Sequence, residues 1–216
     1  MSGRGALRRL AAHEGRWQRS LLWWVARRRI GVAPGERAFG YAAAQAAFVY
    51  GLTFVCVVET VGLSVLLAGV PVVHGVLLVL DVYTVLMMLG IQAAAVTRPH
   101  VLGAGALRLR DGARRELWIP LGRIASVRYD LRFSREETRA GDGAAEFAVG
   151  GQTSVTVELS EPVVLEGLLG RRTTVRTVRF HADDARAAVR ALRDAVAGDA
   201  SSGDAAGDGG AAVTRP

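Results

Sequence analysis

Residues 38–97, between Arg37 and Arg98, contain no arginine, and the protein has no lysine anywhere. Apolar residues fill this interval, and its only carboxylates are Glu59 and Asp81. Tyr41 to Val70 forms one apolar stretch and Val72 to Val96 another, with Pro71 between them after Ala68-Gly69-Val70. A helix needs about 20 apolar residues to cross ~30 Å of hydrocarbon, and each stretch exceeds that. The short connection leaves room only for an antiparallel helical hairpin.

Arginine placement gives the orientation. The connection carries none, while both flanks are rich in them, which predicts that both flanks are cytoplasmic. Residues 1–40 hold 9 Arg and 2 Glu, so the whole-chain net charge of +7 is an N-terminal property. A sequence pI near 10.8 invites a nucleic-acid reading, but a basic segment directly before an apolar one points to a membrane surface instead. A cleaved signal peptide fits poorly, because the basic region is long and a second span follows.

Residues 1–37 read as a basic amphipathic juxtamembrane segment. Leu7, Leu10, Trp17, Leu21, Trp24 and Val25 recur at three- and four-residue steps. Arg8, Arg9, Arg16, Arg19, Arg27, Arg28 and Arg29 are the candidate contacts to anionic lipid. Trp17, Trp23 and Trp24 suit the headgroup region, and Val32-Ala33-Pro34-Gly35 ends the helix. Ordinary positive-inside flanking sequence explains the same pattern more simply than specific lipid capture.

From Arg98-Pro99 onward the pattern becomes alternating. Leu107, Leu109, Leu117 and Ile119 flank Asp111-Gly112, which predicts a β-hairpin. A three-residue loop, Asp111 to Ala113, pairs Leu107 with Leu117 and Arg108 with Glu116. A one-residue slip would turn the apolar set to the wrong face. Further strands are expected at Ile124–Phe133, with Val127, Tyr129 and Leu131 on one face, and at Phe147–Val149, Ser154–Leu159, Pro162–Leu169 and Thr173–Phe180. Ser134 to Asp142 reads as a charged loop. The total is six or seven antiparallel strands. A closing helix follows, with Asp183 as its cap and Ala185, Ala188, Val189, Leu192 and Val196 as its core stripe. Residues 198–216 read as a disordered tail. The resulting organisation is 1–37, the transmembrane hairpin 38–97, a soluble domain 98–197, and the tail.

The junction Arg98-Pro99-His100-Val101, the run Trp118-Ile119-Pro120-Leu121-Gly122-Arg123-Ile124 and the segment Val178-Arg179-Phe180-His181-Ala182-Asp183-Asp184 resemble small actinobacterial membrane proteins in which two spans precede a bacterial pleckstrin-homology-like (PH-like) domain. The resemblance implies an α+β membrane protein: an N-terminal amphipathic helix, a two-helix transmembrane hairpin, and a PH-like antiparallel β-barrel capped by a C-terminal helix. It implies the bacterial cytoplasmic membrane and no activity. In eukaryotic PH domains a basic loop between the first two strands often binds phosphoinositides. Arg108, Arg110, Arg114 and Arg115 flank the corresponding turn here, but the short acidic-glycine turn departs from that pattern.

No enzyme signature is present. Gly103-Ala104-Gly105-Ala106 lacks the later glycine and lysine of a phosphate loop, and there is no Gly-x-Ser-x-Gly elbow. His13, His74, His100 and His181 lack metal-ligand spacing, and His100 and His181 are expected at the surface or a domain boundary. Cys56 stands alone, so no intramolecular disulfide or cysteine metal site forms. No cofactor and no metal is expected.

The polar residues that stand out are Glu59 and Asp81. Each lies eleven residues from Val70, which at 1.5 Å per residue places both roughly 16 Å from the turn and at one depth. Intramembrane carboxyls are functional candidates by default, and two of them in a low dielectric resist ionising together. The functional reading is a proton-sensing or cation-binding pair. The structural reading, preferred here, is a hydrogen-bonded contact between helices with Thr60, Tyr83 or Thr84 as partners. Ala43, Ala47 and Gly51 form a small-residue row that continues through Val55 to Glu59 and suits close packing within the hairpin or between two copies. The functional expectation is a non-enzymatic membrane anchor or adaptor whose partners are the bilayer and a protein or a second copy, with no nucleic acid. The alternative is a small oligomeric transporter or ion-responsive subunit built on Glu59 and Asp81.

Overall fold

The computed structural model describes residues 15, 18–112, 115–133, 143–166 and 172–207. The chain is a mixed α+β protein that divides into two units. One unit comprises Met1–Gly31, Gly40–Pro99 and Arg110–Arg115. The other comprises Val32–Phe39, His100–Leu109 and Glu116–Pro216.

The first unit is helical. Residues 18–25 form α1, Ala43–Leu66 forms α2 and Pro71–Thr97 forms α3. With 24 and 27 residues, α2 and α3 are long and apolar enough to cross a membrane, their lengths being about 36 and 40 Å. They run antiparallel, as the contacts Gln45–Gln92, Thr53–Met88 and Thr60–Asp81 show. The turn falls at residues 67–70, as read from the sequence. Val70 N–H donates to Leu67 O at 2.9 Å, and Pro71 opens α3 where its missing N–H removes no helical bond. No residue of α2 is buried, and Phe48, Phe54, Leu66 and Val72 project outward. The hydroxyls of Thr53, Thr60, Thr84 and Thr97 each donate to the carbonyl four residues back, at 2.7–2.9 Å. This satisfies every one of them within its own helix, as an apolar medium requires.

The base of this unit is polar and tightly made. Tyr41 is buried, and its hydroxyl accepts the Gly112 N–H at 2.8 Å. Gly112 has a φ of +51°, and a Cβ there would lie 3.8 Å from that of Ala94. Arg110 is also buried and donates through Nη1 to Ile30 O at 2.8 Å. Gly31, with a φ of +66°, makes room for that guanidinium, since a Cβ would sit 2.6 Å from Nη2.

The second unit holds two sheets. In the first, the order is β1 (Arg37–Phe39), β2 (His100–Leu102), β3 (Ala106–Asp111) and β4 (Arg115–Pro120). The strand β1 is absent from the sequence reading. It lies before the helical hairpin and pairs antiparallel with β2 after it, matching Arg37 to Leu102 and Phe39 to His100. Three residues beside an apolar interval carry too little alternation to announce a strand. In the β3–β4 hairpin, Leu107, Leu109, Leu117 and Ile119 are buried on one face, and Arg108 lies 3.6 Å from Glu116. The apolar face is as expected, but β3 runs through Asp111, so Asp111 belongs to the strand and not to the loop expected over Asp111 to Ala113; Ala113 lies outside the described residues.

The second sheet has the order β5 (Ile124–Phe133), β7 (Gln152–Glu166), β8 (Arg172–Phe180) and β6 (Ala144–Phe147). It departs from expectation in four respects. First, the strands make two sheets and no closed barrel. Second, β6 pairs parallel to β8, so the set is not wholly antiparallel; alternation reports the face of a strand, not its direction. Third, the two strands expected around Pro162 are one, because Pro162 falls in the interruption between the Glu158 and Val163 pairings, where no ladder bond needs its N–H. Fourth, register shifts at Ile124/Ser126 and Tyr129/Arg132 break the alternation of β5. Ile124 and Val127 are buried, whereas Tyr129, Leu131 and Phe133 are exposed. The expected loop at Ser134–Asp142 lies outside the described residues.

Helix α4, Ala185–Gly207, packs on β5, β7 and the short 3-10 turn Leu121–Arg123. Ala185, Ala188, Val189 and Leu192 are buried as read from the sequence, with Val196 packed at the margin of the core. The cap is Asp184 and not Asp183: its Oδ1 accepts the Ala187 N–H at 2.9 Å. The helix also runs past the expected boundary at 197 to Gly207, because its alanines favour helix and the glycines among them do not suffice to stop it. Residues 208–216 lie outside the described part.

Leu192 is fully buried. Leu192→Ala in the full chain is expected to destabilise this unit by about 2–5 kcal/mol. Its denaturation midpoint, followed by β-sheet circular dichroism, should fall accordingly, and an unchanged midpoint would place α4 outside the core.

Candidate functional site

The carboxyls of Glu59 and Asp81 lie at nearly one height along the hairpin but do not face each other. Asp81 is half-buried between the helices, where its Oδ2 is 3.2 Å from Thr60 Oγ1. Thr60 Oγ1 also lies 2.8 Å from Cys56 O. Glu59, one residue from Thr60, is rotated out of the contact and is exposed. No hydrogen bond or ion pair of its side chain occurs among the described residues. The expected small-residue row shares that outward side: Ala43, Ala47, Gly51 and Val55 are exposed, and nothing lies within 4 Å of a Cβ placed on Gly51. The hairpin instead closes along Gln45, Val49, Thr53, Cys56 and Thr60.

Sequence reasoning missed the amide pair at the other end of this seam. Gln45 Nε2 donates to Gln92 Oε1 at 3.1 Å, and Gln92 Nε2 to Ala42 O at 3.4 Å. The signal was present: Gln45, Thr53 and Thr60 follow each other at steps of eight and seven, and Asp81, Met88 and Gln92 at seven and four. Those steps mark one stripe on each helix.

The basic residues around the β3–β4 turn are already engaged. Arg108 lies 3.6 Å from Glu36 and from Glu116, with its guanidinium 4.8 Å over the Trp118 ring. Arg110 holds Ile30 O, and Arg115 pairs with Asp111 at 3.0 Å. Arg114 lies outside the described residues. This turn therefore offers no open cationic cradle among the arginines described. On β5, Arg128 reaches Glu158 at 2.8 Å and Arg132 reaches Asp130 at 2.8 Å. Slight burial alone would raise the pKa of Asp130, but hydrogen bonds from Arg132 and Thr156 and the charge of Arg128 hold it below the ordinary range.

The candidate lipid contacts divide. Arg8, Arg9 and Arg16, with Leu7, Leu10 and Trp17, lie outside the described residues. Arg19 is exposed on α1, and Arg27, Arg28 and Arg29 are exposed just after it. Leu21, Trp23 and Trp24 are half-buried, while Val25 points outward.

His100 and His181, expected at a surface or boundary, are both buried and meet each other. His100 Nε2–H donates to His181 O at 3.0 Å, and its ring stands edge-on to Phe180 at 5.1 Å. His181 Nε2 is 3.8 Å from Asp183 Oδ1, and its buried Nδ1 has no hydrogen-bond partner among the described residues. Burial lowers the His181 pKa, and Asp183 offsets this only in part. Ser154 Oγ completes the junction by accepting the Ala182 N–H at 3.0 Å. Eighty intervening residues hide this proximity from any spacing rule. Among the described residues, no group of three or more His, Cys, Asp or Glu is arranged to hold a metal ion.

No family model matches the chain, and no curated protein or solved structure is similar to it.

Two measurements test these geometries. With Cys56→Ser as background, Thr60→Cys with Asp81→Cys should crosslink within one chain far more efficiently than Glu59→Cys with Asp81→Cys. The reverse order would restore the paired-carboxylate arrangement. For His181 the folded pKa is depressed below 6.5, so the fold favours the neutral ring. That stability is present above pH 6.5 and is lost as pH falls below it. The denaturation midpoint should drop between pH 7.5 and about 5, and His181→Gln should flatten the drop.

Proposed function

We propose that the chain is a non-enzymatic anchor or adaptor of the bacterial cytoplasmic membrane. Helices α2 and α3 span the bilayer, both flanks are cytoplasmic, and the two-sheet domain is displayed to a partner. The observation that carries this reading is the pairing of β1 with β2. Strands that immediately precede and follow the helical hairpin share one sheet, so both ends of the hairpin belong on one side. The arginine asymmetry makes that side the cytoplasm.

The displayed domain is read as PH-like, an assignment supported by two four-stranded sheets and a C-terminal helix on the second. Its partner is a protein in preference to a phosphoinositide. The described arginines flanking the β3–β4 turn, Arg108, Arg110 and Arg115, are engaged, whereas the far end of the edge strand β5 exposes Tyr129, Leu131 and Phe133 together. Contiguous exposed apolar side chains mark interaction surfaces.

A second reading, the oligomeric transporter or ion-responsive subunit, is favoured by one observation. Glu59 lies near mid-span on the outward face of α2, where a carboxyl surrounded by lipid is costly. An assembly of several copies would enclose it.

Reporter fusions should find both termini cytoplasmic and an insertion at Gly69 exterior; termini on opposite sides would end the hairpin reading. Glu59→Gln and Asp81→Asn separate the two functions. An adaptor retains its cellular role and partner with either change, whereas an ion-coupled subunit loses its flux or pH response.

A further inference from the structure

Helix α1 ends in an unusual way. Arg27 N–H donates to Trp24 O and Arg28 N–H to Trp23 O, each at 2.9 Å. This is the double bond pattern of a Schellman termination, which places its C′ residue in the left-handed region and normally uses glycine there. Here that residue is Arg27, with a φ of +54°, the one non-glycine residue of positive φ among those described. A β-carbon in this conformation is strained, so the surroundings must hold the turn.

They hold it from both sides. Before the turn, the buried Ser20 Oγ accepts from Arg98 Nε at 3.3 Å. After it, Ile30 N–H donates to Thr97 O at 2.7 Å, and Ile30 O accepts from Arg110 at 2.8 Å. Thr97 and Arg98 are the end of α3. The turn is therefore fixed at the level where the second apolar helix stops.

Arg27, Arg28 and Arg29 are exposed at that level, and their side chains have no hydrogen bond or ion pair among the described residues. The nearest following acid, Glu36, is engaged by Ala33 N–H and Arg108. The arginines at the base of the hairpin behave differently, since Arg98 and Arg110 are bound internally. Beside Arg27, Arg28 and Arg29, Leu22 and Val25 are 71% and 77% exposed on the outer side of α1. Two apolar side chains next to three guanidinium groups, at the end of a spanning helix, match the acyl–headgroup boundary in polarity and charge. Guanidinium forks fit phosphodiester oxygens two at a time.

We infer that the Arg27–Arg29 turn is a docking site for the phosphate headgroups of anionic lipids, with Leu22 and Val25 seated among the acyl chains. The inference deepens the anchor reading and rests on α2 and α3 crossing a membrane.

The test uses the full chain purified in a neutral maltoside detergent. Short-chain phosphatidylglycerol or phosphatidylcholine is titrated in, and bound lipid is counted by native mass spectrometry. Phosphatidylglycerol should bind more tightly, and the preference should shrink as salt rises. Each arginine changed to glutamine should weaken it by about fivefold. Arg27→Gln/Arg28→Gln/Arg29→Gln should abolish the preference, whereas the triple lysine variant should keep most of it. Arg27→Gly should raise the thermal midpoint by relieving the left-handed strain, with a loss of preference no greater than that of Arg27→Gln. Equal binding of the two lipids, or a preference that survives the triple glutamine change, would overturn the inference. So would glycerol phosphate binding as tightly as phosphatidylglycerol, since that would make the site one for free phosphate. Alkaline carbonate extraction of native membranes keeps the two claims apart: release of the chain would defeat the spanning reading itself, whereas retention with no lipid preference would defeat only the site.

Discussion

The pairing of β1 with β2 is the constraint from which the rest of the architecture follows. Three backbone positions on each side, Arg37 to Phe39 against Leu102 to His100, close an excursion of sixty residues. Loop-closure entropy grows only slowly with length, and here the loop is itself a stiff helical hairpin that returns its own ends together. The hairpin thus brings the strands within reach, and the strands fix which sheet receives both ends. Arg108 on β3 then reaches Glu36 just before β1 and Glu116 on β4, so one side chain touches the flanks of three of the four strands. Each exposed ion pair contributes little by itself. A guanidinium also covered by the Trp118 ring is a better-ordered anchor than either pair alone.

What could be read from the sequence was whatever depends on composition along one element. Apolar length gave the two long helices, and Pro71 gave their turn. Alternation gave the β3–β4 hairpin and its face, and the alanine-leucine stripe gave α4. What could not be read depends on partners distant in sequence. The parallel pairing of β6 with β8, the bulges that expose Tyr129 and Leu131, and the passage of β7 through Pro162 are all set by neighbouring strands. The denaturing reputation of glycine misled in the same way at the end of α4. A helix already nucleated and packed on a sheet propagates through residues that would not start one.

The candidate site shows the same division between depth and direction. Counting residues from the turn puts Glu59 and Asp81 at nearly one height, and the Thr60–Asp81 contact agrees with that count to within a residue. Direction is a matter of phase. Successive residues are rotated by about 100°, so Thr60 can meet Asp81 only if Glu59 does not. Amides and hydroxyls, with Asp81, define the seam between the helices. Amides and hydroxyls are the better guide to which faces meet, because each gains a partner there at smaller desolvation cost than a carboxyl.

Arginine carries every fixed positive charge in this protein, and its uses separate by position rather than by type. Arg98, Arg108, Arg110 and Arg115 point at carbonyls, hydroxyls and carboxylates of the chain itself. A rigid fork with several donors suits such bonds better than a flexible ammonium, which suits a chain without lysine. The described arginines around the β3–β4 turn are thereby consumed as structure. Among the described residues, Arg19 on α1 and Arg27, Arg28 and Arg29 after it are exposed with no side-chain hydrogen bond or ion pair, as are Arg37, Arg172, Arg176 and Arg190. Exposed apolar side chains gather on β5, whereas the exposed arginines after α1 lie beside the end of α3. The separation follows from how each arginine is held, since a guanidinium already bonded to a buried carbonyl cannot also capture a phosphate without breaking the fold around it.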